Sequence, residues 1–365
     1  MFIAAGIAIL LVYALLVYYI GRSLWKWMSP KPARWLKAAY IIILTVVSTS
    51  FILGRFFGGV TILSMIGSYW MALFYVLILL LPLTHLLLWV MKLASLHSHR
   101  TEKRAGITVL VLSAAIIGFG IYNAYSPVVR SYEVTIPKAA DVESLNIVMA
   151  ADMHFGLLSG AGHAERMVEE MNRLQPDLVL IPGDVIDDDL EAYLDLGMVE
   201  LLKGIQSKYG VYTSLGNHDR FDGEITELIA ALEQSGMQVL YDETAEVQGI
   251  TIAGRRDKQD AGRAGLSQIL SGRDLTAPVL LLDHQPNALD EAQEAGTDLV
   301  VSGHTHNGQV FPGNLITGAL FENDWGYLQK GSMHSIVTSG YGFWGPPIRL
   351  GSRSEIVQIE VTFQP

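Results

Sequence analysis

Ser302-Gly303-His304-Thr305-His306-Asn307-Gly308-Gln309 follows directly on the apolar run Leu299-Val300-Val301. Such a run reads as a buried strand, so two histidines stand where a strand gives way to a loop. Their i, i+2 spacing turns both imidazoles the same way, and neutral imidazole is the commonest nitrogen ligand for a transition metal. Four other stretches have the same form. Ile147-Val148-Met149-Ala150-Ala151 leads into Asp152-Met153-His154, and Leu178-Val179-Leu180-Ile181 into Pro182-Gly183-Asp184. Val211-Tyr212-Thr213-Ser214-Leu215 leads into Gly216-Asn217-His218-Asp219, and Val279-Leu280-Leu281-Leu282 into Asp283-His284. Residues 131–365 hold seven of the chain's 10 histidines; five lie in these clusters, and only His163 and His334 fall outside them.

Between the apolar runs lie helical patterns: Ala164 to Leu174, Leu190 to Ile205, Glu224 to Ser235 with Gly236 as its stop, and Pro286 to Ala295. Further strands are expected at Tyr132–Ile136, Gly249–Ala253, Ile336–Thr338 and Glu355–Phe363. Apolar strands interleaved with helices predict an α/β fold whose strands are buried on both faces. In open α/β sheets, ligands bind beyond the carboxyl ends of the strands, where all five clusters would lie and could converge. Carboxylate, imidazole and carboxamide oxygen, with no cysteine in the chain, suit a site for two divalent cations rather than a thiolate site. Asp184, on the strand expected at the centre, is the natural bridge between two cations. Taken singly, each cluster has a plain structural reading: Asp152-x-His154 as a surface turn, Gly183-Asp184 as a helix cap, Asn217-His218-Asp219 as a turn, His284 as a capped strand end. Asp187-Asp188-Asp189 is expected to start a solvated helix, with Asp187 the candidate to support the ligands from behind.

The ordered set Asp-x-His, Gly-Asp, Gly-Asn-His-Asp, His, Gly-His-x-His resembles the calcineurin-like metallophosphoesterases over about residues 130–362. That resemblance implies an αββα sandwich of mixed sheets and two divalent metal ions (Mn, Fe or Zn). It implies Asp152, His154, Asp184 and His306 around the first metal, and Asp184, Asn217, His284 and His304 around the second. It gives His218 the task of protonating the leaving alkoxide, with Asp219 orienting it, while hydroxide generated at the metals attacks phosphorus in line. Gly340-Tyr341-Gly342-Phe343-Trp344-Gly345-Pro346-Pro347-Ile348-Arg349 and Asn307-Gly308-Gln309 look like the membrane-associated bacterial phosphodiesterase branch. That branch more often has glycine where Asn307 stands and serine where Ala151 stands. Tyr341 and Trp344 are expected to line a pocket for an apolar group or a sugar.

The 365 residues leave room for a second unit. Half of the chain is hydrophobic and its mean hydropathy is +0.33, with the excess at the N-terminus. Met1–Ile20, Ala38–Phe57, Tyr69–Met91 and Ala105–Tyr125 each approach the ~20 residues needed to cross a bilayer. The boundaries expected are therefore 1–127 for a four-helix transmembrane domain and 128–365 for the phosphoesterase domain. The first stretch lacks a basic start and a small-x-small cleavage site, so it reads as a retained helix and not a signal peptide. Pro82 and His85 lie inside the third; a helix–helix hydrogen bond is the expected use of His85.

Residues 1–130 contain 11 Lys+Arg and a single acid, Glu102. The rest therefore holds 25 − 11 = 14 basic against 36 − 1 = 35 acidic residues, within a net charge of −11. An acidic domain of this kind offers no surface to nucleic acid. Arg22, Lys26, Lys31, Arg34 and Lys37 lie between the first two spans and Lys92, Arg100, Lys103 and Arg104 between the last two, whereas Gly58–Ser68 has no charge. The excess of Lys and Arg puts the first and third loops in the cytoplasm, although Arg130 and Lys138 after the fourth span weigh the other way. The expectation is a multi-pass protein of the cell membrane whose phosphoesterase domain faces outward onto lipid-linked or cell-envelope phosphoesters. Two alternatives stand beside a phosphodiesterase: a lipid-sugar pyrophosphatase, which more often carries arginine where His218 stands, and a non-catalytic metal-binding sensor or scaffold.

Overall fold

The computed structural model describes residues 2–28, 33–56, 61–219 and 225–364. The chain divides into two compact units, Met1–Ile121 with Gly345–Ile348, and Tyr122–Trp344 with Arg349–Pro365.

The first unit is built on four long helices: α1 (Phe2–Met28), α2 (Arg34–Phe56), α3 (Thr61–Leu93) and α4 (His99–Tyr125). Each is long and apolar enough to cross a membrane. All four extend beyond the stretches expected from hydropathy alone. α1 absorbs Arg22 and Lys26 into its end, because a helix carries its own backbone hydrogen bonds into the polar interface. Lys31, residue 57 and the Gly58 end of the second loop lie outside the described residues. His85 accepts or donates a 2.6 Å bond with the Tyr19 hydroxyl between α3 and α1, the use expected of it.

The second unit is a sandwich of two six-stranded mixed sheets. β1 (Val128–Ile136), β2 (Ser144–Met149), β3 (Leu178–Pro182), β4 (Val211–Ser214) and β5 (Gln238–Val239) belong to the first sheet. β6 (Glu243–Val247), β7 (Ile250–Gly254), β8 (Val279–Leu282), β9 (Leu299–Ser302), β10 (Gly326–Lys330) and β11 (Met333–Val337) make the second. β12 (Glu355–Phe363) returns to the first sheet, where it inserts parallel to β1 and antiparallel to β2. β2, β3 and β4 run parallel and side by side, as do β7, β8 and β9.

The period of two sorts the side chains into layers. Ile147 and Met149 of β2, Leu180 of β3, Leu280 and Leu282 of β8 and Val301 of β9 fill the space between the sheets. Val148 and Val179 face the other way, onto helix Ala161–Arg173 and its neighbours. Val279, Leu281 and Val300 cover the outer face of the second sheet with helix Leu289–Glu294. Strands buried on both faces therefore read as unbroken apolar runs.

The run Leu190–Ile205 is two short helices, Leu190–Asp195 and Met198–Leu202, because Gly197 takes a positive φ of 69° that ends the first. The last turn of α4 counts with the sandwich, where Ser354 Oγ donates to the Ala124 carbonyl (2.6 Å) and Asn123 Nδ2 to that of Arg349 (3.2 Å).

Candidate metal centre

The five clusters leave the carboxyl ends of β2, β3, β4, β8 and β9 and meet at one edge of the sandwich. The segments after β2, β3 and β9 turn sharply there through positive φ at non-glycine residues: Asp152 (52°), His154 (46°), Asp184 (54°), His304 (70°) and His306 (50°). This left-handed region disfavours residues with a Cβ, and such strain concentrates at functional sites. Asn307, at φ 48°, is the residue type that best tolerates it after glycine. That explains how asparagine serves where the resembling branch more often has glycine.

The loops are stitched to one another through the acidic side chains. Asp152 Oδ1 accepts the His304 N–H (2.9 Å), joining the two sheets, and Asp184 Oδ1 accepts the His218 N–H (2.8 Å). Glycines make the approach possible. A Cβ on Gly303 would overlap the Asp152 carboxylate, and one on Gly216 the Asp184 carboxylate.

Two groups of three could each hold a cation: Asp152, His154 and His306, and Asp152, Asp184 and His284, the second with Asp152 where the resemblance implied Asn217 and His304. His154 Nε2 lies 3.1 Å from His306 Nε2, and His284 Nε2 lies 3.0 Å from Asp184 Oδ2. His304 belongs to no such group among the described residues; its ring centre is 5.2 Å from that of His284. A third group, His154, Asp187 and His218, brings in Asp187, whose carboxylate is 3.4 Å from His154 Nδ1. His163 and His334 stay outside, His163 tilted against the Tyr341 ring (centres 4.4 Å apart) and His334 bonded to the Tyr327 hydroxyl (2.9 Å).

The donor set fits divalent cations on two further observations. Among the described residues Asn217 Oδ1 is buried without a hydrogen-bond partner, which a protein rarely tolerates unless something else satisfies it. His284 Nδ1 meets the Pro182 carbonyl at 2.8 Å, a bond that puts the proton on Nδ1 and leaves the Nε2 lone pair facing the site. Electrostatics agree. Burial opposes a proton on His284, yet Asp184 and Asp152 outweigh it and raise the group to about 10. Burial likewise opposes charge on Asp184, but His284, His154 and His218 hold it well below the usual carboxylate range. The buried carboxylates thus call for positive charge, which a proton or a metal ion can supply. The clustered His and Asp groups suit divalent metal ions.

Asp219 differs from expectation. Its carboxylate accepts the backbone N–H groups of Asp184 (2.6 Å), Val185 (2.8 Å), Ile186 (3.0 Å) and Gly216 (2.8 Å), which braces the Asp184 loop. Four backbone donors fill its capacity, so the carboxylate beside His218 is instead that of Asp188, 3.1 Å from Nδ1. Asp189 alone of the three consecutive acids starts a helix, capping Ala192 N–H at 3.0 Å. Tyr341 is fully buried with its hydroxyl donated to the His163 carbonyl (2.9 Å), so it lines no pocket. Trp344 is 56% exposed, and its ring centre lies 5.7 Å from that of His218. Sequence reasoning gave no role to Arg349, which is wholly buried and donates to the carbonyls of Gly342 (2.6 Å) and Gly340 (3.2 Å) while facing His306 Nδ1 (3.1 Å). Its signal was a lone arginine at the end of a glycine-and-aromatic loop.

The family model for calcineurin-like phosphoesterases matches residues 145–308, a span that includes every residue given a role above from Asp152 to His306. An uncharacterized metallophosphoesterase of Campylobacter jejuni is 33% identical over 270 residues, covering 69% of this chain and 68% of its own length. One from Helicobacter pylori is 28% identical over 367 residues and is covered to 98%, as is this chain. A transmembrane protein with metallophosphoesterase domain from Danio rerio is 31% identical over 276 residues, 70% of this chain; the match spans 62% of that longer protein.

Proposed function

The chain belongs to the calcineurin-like phosphoesterases, and from that premise we propose that it is a membrane-held phosphodiesterase using two divalent cations. The reading is carried by the convergence of five strand-end clusters on one edge, with Asn217 Oδ1 left without a hydrogen-bond partner among the described residues. Asp152, His154, Asp184 and His306 would hold one cation, and Asp184, Asn217, His284 and His304 the other. Bound there, the cations supply Lewis acidity toward a phosphoryl group and acidify water at neutral pH.

The remaining work falls to the protein. Asp152 and Asp184 fix the ligand loops through the N–H groups they accept. His218 stands at the rim. Burial opposes its proton, but Asp188, Asp184 and Asp187 outweigh it and raise the group to about 8. It therefore carries a proton at neutral pH and gives it to the leaving oxygen as the P–O bond breaks. Water supplies the new P–O bond, so the products are a phosphomonoester and an alcohol. The exposed face of Trp344 beside His218 suits an apolar substituent on one side of the phosphorus.

Membrane attachment rests on the four helices. The likeness to a relative that carries "transmembrane" in its name supports it. The Lys and Arg content of the first and third loops favours a plasma-membrane protein whose phosphoesterase domain lies on the extracytoplasmic face. Tethering raises the effective concentration of that domain near the bilayer, which favours phospholipid head groups, lipid-linked sugars or envelope phosphodiesters as substrates.

Purified protein reloaded with Mn²⁺, Fe²⁺ or Zn²⁺ is expected to release nitrophenol from bis(nitrophenyl) phosphate faster than from nitrophenyl phosphate. Faster monoester cleavage would overturn the diesterase assignment. No turnover with any divalent cation would overturn hydrolysis altogether.

A further inference from the structure

Four long helices are more than a tether requires, and they pack unevenly. α2 and α3 lie close together, since a Cβ on Gly67 would meet the Phe51 main chain and one on Gly54 the Ser64 main chain and hydroxyl. Small residues that let backbones approach are how helices associate in lipid. α1 reaches α3 through Tyr13, which lies 5.1 Å from Phe74 ring to ring and accepts the Trp70 indole N–H at 2.8 Å. Between α1 and α2 the gap is spanned by tyrosines: the Tyr13 hydroxyl donates to the Ser48 carbonyl (2.6 Å) and that of Tyr40 to the Gly21 carbonyl (2.8 Å). Long side chains hold these two helices apart, and a groove of ≈ 890 Å³ lies between them.

The two ends of the groove differ in chemistry. Leu10, Val17, Leu44 and Ile52 wall its depth. Two hydroxyls there are spent on their own helix, Ser48 and Thr49 donating to the Thr45 carbonyl at 3.2 and 2.7 Å. Aliphatic side chains dominate this wall, which suits an acyl chain. Arg22, Lys26 and Lys37 line the other end, where Trp25 lies 5.0 Å from Tyr40 ring to ring. Cations beside an aromatic pair are the arrangement found at the level of lipid head groups. From Leu10 to Lys26 the helix rises about 24 Å, within the ~30 Å depth of a bilayer's hydrocarbon core.

Charge decides the occupant. Glu102, the one acid of residues 1–130, pairs with Lys26 at 2.8 Å. Among the described residues Arg22 and Lys37 have no ion pair, and Arg22 reaches only the Tyr18 hydroxyl, at 3.4 Å. Two cations over an apolar trough call for an amphiphile of net negative charge. We infer that the groove between α1 and α2 binds an anionic phospholipid, its phosphate between Arg22 and Lys37 and an acyl chain along Val17 and Leu44. A zwitterionic lipid brings its own cation and leaves the pair uncompensated. Basic pockets between membrane helices bind anionic head groups for the same reason. The inference needs the helices to lie in a bilayer and does not need the phosphoesterase reading, so either can fail alone.

The test is native mass spectrometry of the full chain, stripped of lipid in neutral detergent and titrated with phosphatidylglycerol or with phosphatidylcholine of identical acyl chains. Phosphatidylglycerol is expected to bind at least tenfold more tightly. Equal binding of the two lipids would overturn the inference without any variant being made. Arg22→Gln with Lys37→Gln is expected to bring phosphatidylglycerol down to the level of phosphatidylcholine, and unchanged selectivity would remove these cations as the site. Val17→Trp, which fills the trough and keeps both charges, is expected to lose phosphatidylglycerol at least tenfold. Wild-type binding by that variant would place the lipid elsewhere.

Discussion

Burial disfavours a proton on His218, but three carboxylates near it favour one and raise the group, and the nearest, Asp188, is 3.1 Å away. A general acid contributes ~10²–10⁴ in rate, so His218→Asn should lower kcat by that range while metal content, counted by mass spectrometry, stays at the wild-type value. Undiminished turnover would make the metal-binding scaffold the better account. Asp188 acts through His218. Asp188→Asn removes the carboxylate that favours the proton, so His218 gives it up at lower pH and the alkaline limb of kcat/KM moves down. A purely structural role would lower the whole profile without moving it. The candidate ligands were legible as residues because each follows an apolar run. The partner of His218 was not, since Asp187, Asp188 and Asp189 are three identical side chains in a row. Only the fold sends them separately to His154, His218 and the Ala192 N–H.

At the scale of elements, the strand ends meet without room for a methyl group. Gly303→Ala would drive a Cβ into the Asp152 carboxylate and within 2.9 Å of Ala151 Cβ. Overpacking of this kind costs ~1–3 kcal/mol, and here it also displaces a candidate ligand. The expected result is a melting temperature lower by a few degrees together with loss of bound metal. Gly162→Ala is the control: its Cβ would meet nothing within 4 Å, in helix Ala161–Arg173, so metal content should not change. That helix also carries a pH dependence. Burial, with help from Arg166 and Arg349, lowers His163 to about 4. The unfolded chain takes up this proton near the ordinary value of ~6.5, whereas the folded chain resists it until about 4. Stability from this group is therefore whole above ~6.5 and is lost, on the order of 3 kcal/mol, as pH falls through that window. Melting temperature measured between pH 4 and 7 should flatten in His163→Phe; an unchanged slope would place the acid sensitivity in other groups. Central strands could be read from the sequence because burial on both faces leaves an apolar run. β10 could not, since its residues alternate between exposed and partly buried at a sheet edge. The break at Gly197 was hidden because helical periodicity continues across it.

At the scale of the whole chain, the sequence separates a basic, apolar part from an acidic one. It does not show that the last strand, β12, returns to lie between β1 and β2 of the first sheet, because strand order is a matter of packing partners and not of pattern. The proposed outward orientation of the acidic part rests on loop charges, Lys92, Arg100, Lys103 and Arg104 against an uncharged second loop. The chain has no cysteine, so a single introduced thiol reports its own position without background. Leu96, 65% exposed between α3 and α4, and Leu275, 43% exposed in the sandwich, are suitable sites. In spheroplasts treated with a membrane-impermeant maleimide, Leu275→Cys should be labelled at once and Leu96→Cys only after permeabilisation. The reverse pattern would turn the protein over and move its substrates to cytoplasmic nucleotides and inner-leaflet lipids, with the metal chemistry untouched. Immediate labelling of both would mean that α4 does not cross the bilayer between Leu96 and the sandwich, and the four-span reading would fall with it.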